Sequence, residues 1–202
     1  MRDIEDEGTY TGVNFRAIDL SHQRLTEAEF DECHFERCTL QESTLVRCTF
    51  MDCRFTDCDL SMVTLDGSRL RETIFERCRV SGIDWTRAAW SAYVPHAPVT
   101  FDGCTLDYST FLGLTLQRLV MRDGVAREVD FSEADLAGAD FSGTDLAGSR
   151  FHQTTLTGAN FATARNYSLD VTRNMVRGAR FSLPEAVGLL RALEIDLVDN
   201  GY

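Results

Sequence analysis

Large apolar side chains recur at every fifth residue along most of the chain. The first series runs Phe15, Leu20, Leu25, Phe30, Phe35, Leu40, Leu45, Phe50, Phe55, Leu60, Leu65, Leu70, Phe75, Val80, Trp85 and Trp90. After a slip of one residue, the series resumes as Phe101, Leu106, Phe111, Leu116, Met121, Ala126, Phe131, Leu136, Phe141, Leu146, Phe151, Leu156 and Phe161. Such regular recurrence indicates an internal repeat of five residues.

A period of five suits neither an α-helix nor a single β-strand. In a helix, a step of five rotates the side chain by about 140°, so the apolar positions would spiral around the surface. In a strand, an odd step places successive apolar side chains on opposite faces. A coil that turns a quarter circle every five residues keeps all of them inside. The pattern therefore predicts an all-β solenoid with four faces and about 20 residues per coil.

A coil of 20 residues also predicts that equivalent side chains stack on one another. The sequence contains such columns, among them Phe15, Phe35, Phe55 and Phe75; Leu20, Leu40, Leu60 and Val80; and Phe111, Phe131 and Phe151. Coils stacked about 4.8 Å apart would bury each ring against the next and pair the backbone between coils. About eight coils would then form a rod about 40 Å long.

The repeat divides the chain into five segments. These are an acidic N-terminal segment or cap (1–14), a first repeat half (15–90), a break with a short loop (91–100), a second repeat half (101–181) and a C-terminal helix with a tail (182–202). Two of the three Pro lie in the break, where a missing backbone N–H interrupts a hydrogen-bonded ladder. The break is either a joint or a partner-binding loop, for which the candidate contacts are Tyr93, Val94, Pro95 and His96.

The repeat ends near Phe181, and a helical pattern follows. Ser182 and Glu185 have the spacing of a capping box, which predicts an α-helix after Ser182. The helix could simply cap the last coil, yet it carries more apolar surface than a short cap needs. Packing against a second copy would bury that surface, so we expect a homodimer. The predicted interface consists of Leu189, Leu190, Leu193, Ile195 and Leu197.

Charge narrows the classes of partner. The chain has 32 acidic and 20 basic residues, a formal net charge of −12, and all its basic residues except His are Arg. Direct binding to nucleic acid or to an anionic membrane is disfavoured, because phosphate groups attract net positive charge. The acidic N-terminus does not resemble a targeting peptide, and no apolar stretch reaches the length of a membrane span. We therefore expect a cytoplasmic protein.

The outward acidic residues include a column on one face. Glu32, Asp52 and Glu72 are spaced by 20 residues, and Asp31 lies beside the first of them. In the solenoid these carboxylates would lie only about 5 Å apart and repel one another. The face is either a solvated surface, screened by salt and by neighbours such as Arg71, or a negative surface for a partner with a basic groove.

The remaining residue types give no sign of catalysis. All seven Cys occupy the small inward position of the repeat, where reduced Cys serves as a small buried hydrophobe. None of the four His has a partner at the spacing of a metal site or a catalytic triad. A rod filled with Phe and Leu also lacks a concave site in which side chains converge. We expect no metal, no cofactor and no enzymatic activity.

The unit is clearest at residues 134–148, where Ala-Asp-Leu and Ala-Asp-Phe are each followed by two variable residues. It resembles the consensus of the pentapeptide-repeat proteins, and this resemblance covers about residues 10–181. The resemblance implies a right-handed quadrilateral β-helix. A handedness is not implied by the spacing alone.

Two further stretches resemble one branch of this family. Asp84-Trp85-Thr86 and the tail at residues 179–186 are similar to the topoisomerase-protecting proteins, which include the Qnr quinolone-resistance and the microcin-resistance proteins, and are most similar to the albicidin-resistance type. The resemblance implies a dimeric rod that mimics DNA, binds DNA gyrase and often topoisomerase IV, and relieves a topoisomerase poison. The alternative is a rigid acidic scaffold for a different protein partner.

Overall fold

The computed structural model of the chain describes residues 4–90, 98–193 and 195, and within these ranges all strands are short. The strands are β1 (Thr9–Thr11), β2 (Asn14–Arg16), β3 (Arg24–Thr26), β4 (Glu29–Asp31), β5 (His34–Glu36), β6 (Thr44–Val46), β7 (Thr49–Met51), β8 (Arg54–Thr56), β9 (Arg69–Arg71), β10 (Thr73–Glu76), β11 (Val99–Asp102), β12 (Val120–Arg122), β13 (Asn160–Phe161) and β14 (Arg180–Phe181). Two 3-10 helices cover Trp85–Arg87 and Glu185–Leu193.

The strands pair in parallel between successive coils, as the five-residue period predicts. One sheet has the order β1-β4-β7-β9 and another has the order β12-β11-β10-β8-β5-β2. The other two sides are built from the pair β3-β6 and from single bridges such as Asp19 to Thr39. The chain is therefore the predicted all-β solenoid with four faces. We name the faces by their central residues in one coil: Phe30 (face 1), Phe35 (face 2), Leu40 (face 3) and Leu45 (face 4).

Each corner between faces needs an unusual backbone conformation. At most corners the position two residues after the central residue has a positive φ, for example 52° at Arg37 and 69° at Gly138, whereas the corner after Trp85 is a 3-10 turn. This left-handed conformation turns the chain by a quarter circle, and its side chain must point outward. Corner N–H groups donate to the next coil, as Arg37 does to the carbonyl of Thr56 at 3.0 Å. The corners therefore turn the chain without leaving the ladder.

Stacked aromatic rings fill the interior behind face 2. The ring of Phe35 lies 4.8 Å from Phe15 and 4.5 Å from Phe55, centroid to centroid. The column continues through Phe75 to Phe101 at 5.2 Å. The sequence columns thus correspond to real stacks, and each ring buries the face of the one before it.

The small inward positions satisfy the backbone. The thiol of Cys48 donates to the carbonyl of Leu25, and that of Cys53 to the carbonyl of Phe30, each at 3.4 Å. All seven Cys are buried and unpaired as disulfides. Burial raises the pKa of the Cys53 thiol to about 12, so the neutral form that donates this bond is retained at neutral pH.

The repeat break changes the pairing distance without breaking the ladder. Before it, Phe55 pairs with Phe75, 20 residues away; across it, Phe75 pairs with Phe101, 26 residues away. This coil therefore contains six additional residues. Five of them equal one repeat unit and leave the phase of the repeat unchanged, so the sequence shows a slip of only one residue. Regular pairing has resumed at Val99, the first residue of β11.

The C-terminal segment differs from the sequence prediction. Residues Glu185–Leu193 form a 3-10 helix instead of the predicted α-helix. The hydroxyl of Ser182 accepts the backbone N–H of Thr163 at 2.9 Å. It therefore bonds to the last coil and does not cap a helix. Gly188 lies inside the segment and disfavours α-helix further. Among the described residues, no helix has the length and apolar character needed to cross a membrane.

Truncation of a stacked ring should strongly destabilise the rod. Phe131 is fully buried between Phe111 at 5.4 Å and Phe151 at 5.0 Å. We expect Phe131→Ala to lower the free energy of unfolding by about 3–5 kcal/mol, because it removes the ring and leaves a cavity. Urea denaturation followed by circular dichroism measures this change.

The matched control is Tyr108→Ala, since Tyr108 is an aromatic residue with 74% of its surface exposed. Its corner conformation tolerates Ala, as Ala17 shows with a φ of 50°. The control should stay within about 0.5 kcal/mol of the wild type. Equal losses in the two variants would contradict the role assigned to the stack.

Candidate functional site

The predicted acidic column lies on the corner after face 1. Glu32, Asp52 and Glu72 all occupy the corner position, with φ values of 52°, 51° and 50°. The N–H of Glu32 donates to the carbonyl of Met51 at 2.9 Å, and the N–H of Asp52 donates to that of Arg71 at 3.0 Å. These bonds hold the three residues in register, one per coil, about 4.8 Å apart along the axis.

This column differs from the acidic residues of face 2 in having no counter-ions. On face 2, Asp102 pairs with Arg122 at 2.7 Å, and on the corner after face 2, Asp57 pairs with Arg77 at 2.8 Å. Within the described ranges, neither the column nor Asp31 forms an ion pair. Asp31 is half-buried at the end of β4, beside the first member of the column. The corner after face 1 therefore presents uncompensated negative charge.

The charge of the chain is unevenly distributed along the rod. Residues 4–60 contain 13 acidic and 5 basic side chains, whereas residues 146–182 contain one acidic and five basic side chains. The single acidic residue of the second group, Asp170, pairs with Arg173 at 3.3 Å. The other four basic residues of this second group are all exposed, and we call them the arginine collar: Arg150, Arg165, Arg177 and Arg180. The net negative charge is thus largest in the N-terminal coils, at −8 for residues 4–60, against −5 for residues 61–145, which have 13 acidic and 8 basic side chains.

Two exposed apolar side chains on the corner after face 3 were not predicted as contacts. Met62 is 57% exposed and Tyr108 is 74% exposed. Gly82 lies between them on this corner, one coil away from each. A Cβ at Gly82 would collide with Sδ of Met62, so glycine here makes room for the Met62 side chain. In the sequence, these contacts could have been predicted from a large apolar residue at an outward corner position of the repeat. The corner offers apolar contact area that a partner would cover.

The predicted loop contacts Tyr93, Val94, Pro95 and His96 lie outside the described residues. The residue preceding the break is held in place, because Nε1 of Trp90 donates to the carbonyl of Trp85 at 2.8 Å. Trp85 itself lies in the interior, stacked on Phe111 with centroids 5.5 Å apart. The break therefore starts from a fixed point on the rod.

The predicted dimer residues are distributed between the core and the surface. Leu189 packs against the core of the rod and Leu190 is half-buried, whereas Leu193 is 46% and Ile195 48% exposed. Leu197 lies outside the described residues. Two further apolar side chains are exposed in the same segment, Leu183 and Val187. One side of the segment thus caps the last coil, and the other faces solvent.

Asp145 is an acidic residue with a structural role. It is almost fully buried, and its carboxylate accepts hydrogen bonds from Arg127 at 2.7 Å and from Asn166 at 2.8 Å. Burial alone would raise the pKa of Asp145, but these hydrogen bonds outweigh it and hold the pKa below its usual range. Across the part of the chain that the structure describes, no group of three His, Cys, Asp or Glu side chains could hold a metal ion.

Comparison with known proteins identifies the same five-residue repeat in this chain. A family model described as a pentapeptide repeat region matches residues 28–111, and one described as pentapeptide repeats (8 copies) matches residues 127–161. Together they cover more than half of the chain. No curated protein sequence matches the chain significantly.

Among solved structures, the fold is similar to that of QnrB1, described as a plasmid-mediated fluoroquinolone resistance protein. A trypsin-treated variant of QnrB1 has 20% identity and a TM-score of 0.65, with 98% of this chain and 95% of that chain covered. Full-length QnrB1 has 18% identity and a TM-score of 0.58, with 93% of this chain and 100% of that chain covered. At this identity the likeness concerns the fold.

The environment of Asp145 predicts a pH-dependent contribution to stability. We expect Asp145→Asn to lower the free energy of unfolding at pH 7 by about 1.5–3 kcal/mol, because an amide nitrogen would face charged and polar donors. The folded pKa is depressed, so the stabilisation is present above the unfolded pKa near 3.9 and is lost as pH falls through the folded value. Urea denaturation of both proteins between pH 2 and about pH 7 measures it.

Asp130→Asn is the control, because among the described residues the Asp130 carboxylate accepts a single hydrogen bond, from the N–H of Ser132 at 2.9 Å, and an Asn side chain can accept the same bond. Its effect should be close to zero at every pH. A gap between wild type and Asp145→Asn that stays constant down to the lowest pH would show that the ionised carboxylate is not what stabilises the fold.

Proposed function

The chain belongs to the pentapeptide-repeat family, and from that premise we propose that it binds DNA gyrase or topoisomerase IV as a DNA-like acidic rod and protects the enzyme from a topoisomerase poison. The observation that carries the proposal is the unpaired column of Glu32, Asp52 and Glu72. DNA presents one negative charge per about 1.7 Å of its axis, and an enzyme that grips it presents basic side chains. A stiff rod with regularly spaced carboxylates competes for the same basic groove.

Rigidity and charge distribution support this mode of action. The backbone that carries the column is held by the ladder, so binding of a basic surface orders only the three side chains and costs no backbone freedom. Residues 4–60 carry a net charge of −8, and we assign the DNA-like contact to these N-terminal coils together with the acidic column. Long-range attraction of a basic groove toward this end also speeds association.

The resistance role rests on likeness in fold together with the sequence resemblance. QnrB1 is described as a fluoroquinolone resistance protein, and its fold extends over nearly the whole chain. We propose protection from a poison for this chain too, with a quinolone and albicidin as the first drugs to test. The protein would act by binding alone, without catalysis or cofactor, and in the cytoplasm where the topoisomerases work.

We also propose that the active form is a homodimer joined at the C-terminal segment. Leu183, Val187, Leu193 and Ile195 expose apolar surface there in the single chain. Packing by a twofold axis would bury it, at about 1.5–3 kcal/mol for each fully buried large side chain. Two rods joined end to end would be about 80 Å long, with an acidic region at each end.

A rigid scaffold for a different protein is the second candidate function. It is favoured by features that a DNA mimic does not need, namely the exposed Met62 and Tyr108 and the arginine collar. An aromatic and a Met side chain on one corner are typical of protein-protein contacts. In this alternative the acidic column is a solvated face, and gyrase is not the partner.

Reversal of the acidic column should abolish protection. We expect the combined variant Glu32→Arg, Asp52→Arg and Glu72→Arg to lose most gyrase protection, because a basic groove would then repel it. The corner position accepts Arg, as Arg37, Arg47 and Arg77 occupy it with φ values of 51–52°. The measurement is a gyrase supercoiling and cleavage assay with a poison present, in which wild type restores supercoiling and reduces trapped cleavage.

The control reverses three other corner acids, Asp123→Arg, Glu128→Arg and Glu133→Arg, so the net charge changes equally. Protection should be largely retained in this control. If both triple variants protect gyrase like the wild type, the acidic column is not the contact. If the wild type neither rescues nor inhibits gyrase at any concentration, the scaffold function is favoured.

The dimer is tested by shortening the C-terminal leucines. Leu190→Ala together with Leu193→Ala should give monomers, because the change removes the exposed apolar area of Leu193 and that of the half-buried Leu190 beside it. Light scattering would report half the mass of the wild type. Met62→Ala with Leu112→Ala, which shortens exposed side chains on the flank of the rod, should leave the mass unchanged. A dimer that survives the leucine changes would place the interface elsewhere.

A further inference from the structure

Three exposed apolar side chains border face 4 in the middle of the rod. Met62 and Tyr108 lie on the corner where this face begins, and Leu112 lies at its far side, in the same coil as Tyr108. Their exposed fractions are 57%, 74% and 46%, respectively. We call these three residues the apolar patch. Large apolar side chains that are grouped on a surface mark contact with another molecule.

The patch is continuous along the corner, because only a glycine separates Met62 from Tyr108. The N–H of Met62 donates to the carbonyl of Ser81 at 2.9 Å, which places Gly82 in the next coil. The N–H of Gly82 donates to the carbonyl of Asp107 at 2.9 Å, which places Tyr108 in the coil after that. The sulfur of Met62 occupies the space that a Cβ at Gly82 would need, so the Met62 side chain extends along the corner toward Tyr108. No side chain stands between the thioether and the tyrosine on this corner.

Three carboxylates surround the patch. Thr110 is the outward residue midway between the two patch members of its coil, and backbone bridges join it to Asp84 in the coil before and to Asp130 in the coil after. These two carboxylates are therefore carried on backbone only about 4.8 Å from that of Thr110, on either side. The third, Asp107, directly precedes Tyr108 in the chain.

Each of these carboxylates keeps one oxygen for a partner. In all three, Oδ1 accepts a backbone N–H: that of Thr86 at 3.0 Å for Asp84, that of Arg127 at 2.9 Å for Asp107 and that of Ser132 at 2.9 Å for Asp130. Within the described ranges, Oδ2 of all three forms neither a hydrogen bond nor an ion pair. The guanidinium of Arg127 forms its ion pair with Asp145 instead, at 2.7 Å.

The charge around the patch selects the class of partner. A second copy of the chain would bring the same three carboxylates and a net charge of −12, so two patches would repel each other. The phosphate groups of a nucleic acid or of a lipid would be repelled as well. A guanidinium or ammonium group, in contrast, can stack on the ring of Tyr108 and bind the free Oδ2 of Asp107.

We propose that the apolar patch binds a basic protein segment, with an Arg or Lys side chain on Tyr108 and apolar side chains against Met62 and Leu112. The corner after face 3 is diagonally opposite the corner after face 1, which carries the acidic column. The rod can therefore hold this segment while the column faces a different protein. The proposal does not depend on the action on topoisomerases.

The probe is a phage-displayed library of random peptides about 12 residues long, which is enough to cross the patch in an extended conformation. The library is selected on the full-length wild type and depleted on the apolar variant Met62→Gln, Tyr108→Asn and Leu112→Ser. We expect the enriched peptides to share an Arg or Lys beside an apolar residue. In fluorescence anisotropy they should bind the wild type about tenfold more tightly than the apolar variant.

The apolar variant should keep its fold and melting temperature, because the repeat accepts the new residues. Gln153 and Asn166 adopt φ values of 53° and 59°, close to those of the two corner residues that are replaced. Ser132 occupies the position of Leu112 in the next coil. A loss of peptide binding in this variant therefore reports on the patch.

A charge variant tests the three carboxylates separately. In Asp84→Asn, Asp107→Asn and Asp130→Asn, each side chain can still accept its backbone N–H, and peptide affinity should fall about tenfold. The matched control changes the net charge equally at acids elsewhere on the rod and should leave the affinity unchanged: Glu7→Gln, Glu29→Gln and Asp123→Asn. Replacement of the peptide's Arg by citrulline, or of its Lys by norleucine, should weaken binding to the wild type as much as the charge variant does.

Three results would overturn the proposal. The first is a selection that enriches no basic sequence, and the second is equal affinity of the peptides for the wild type and for both the apolar and the charge variant. The third is self-association of the wild type that the apolar variant abolishes in light scattering, since the patch would then be an interface between copies of this chain.

Discussion

The backbone hydrogen bonds that run along the axis between successive coils, and that bring residues 20 apart into register, are the constraint on which this molecule depends. They pair every face of one coil with the next, as from Leu40 N–H to the carbonyl of Asp59 at 2.7 Å. Because the pairing is parallel and in register, each side chain lies above its own equivalent. Phe must then stack on Phe, Cys on Cys and acid on acid. The interior gains from this repetition, whereas the surface must accommodate like charges at short range.

The chain resolves that surface conflict differently on different faces. The corner after face 2 alternates the sign of its charges between coils, from Arg37 to Asp57 to Arg77, which gives the ion pair of Asp57 with Arg77. The corner after face 1 keeps acid upon acid without counter-ions. Toward the C-terminus the arginine collar takes over. The rod consequently has an electrostatic polarity, negative in its N-terminal coils and positive at the arginine collar, although its backbone is nearly uniform. That polarity gives a binding partner both a preferred end and a preferred face.

The interior could be predicted from the sequence because it depends only on the period. The Phe columns and the inward Cys follow from counting in fives and twenties, and so does the stacking of Glu32 on Asp52. What counting could not give are features that depend on a single competing bond or on side-chain size. Ser182 has the spacing of a helix cap, yet its hydroxyl accepts a hydrogen bond from the backbone N–H of Thr163 instead. Gln23 occupies a small inward position of the repeat, yet its side chain is exposed because Gln is too long for the interior. The pairing distance of 26 residues at the break appears in the sequence only as a slip of one residue.

The pairing of Phe75 with Phe101 has a consequence for how such chains diverge. This coil is six residues longer than its neighbours, yet the aromatic stack continues across it at 5.2 Å. Since each coil bonds only to its neighbours, a length change at a corner stays local. Descendants of one rod can therefore acquire new segments at this corner, and exchange them for others, while inheriting the same core and the same spacing of surface charge.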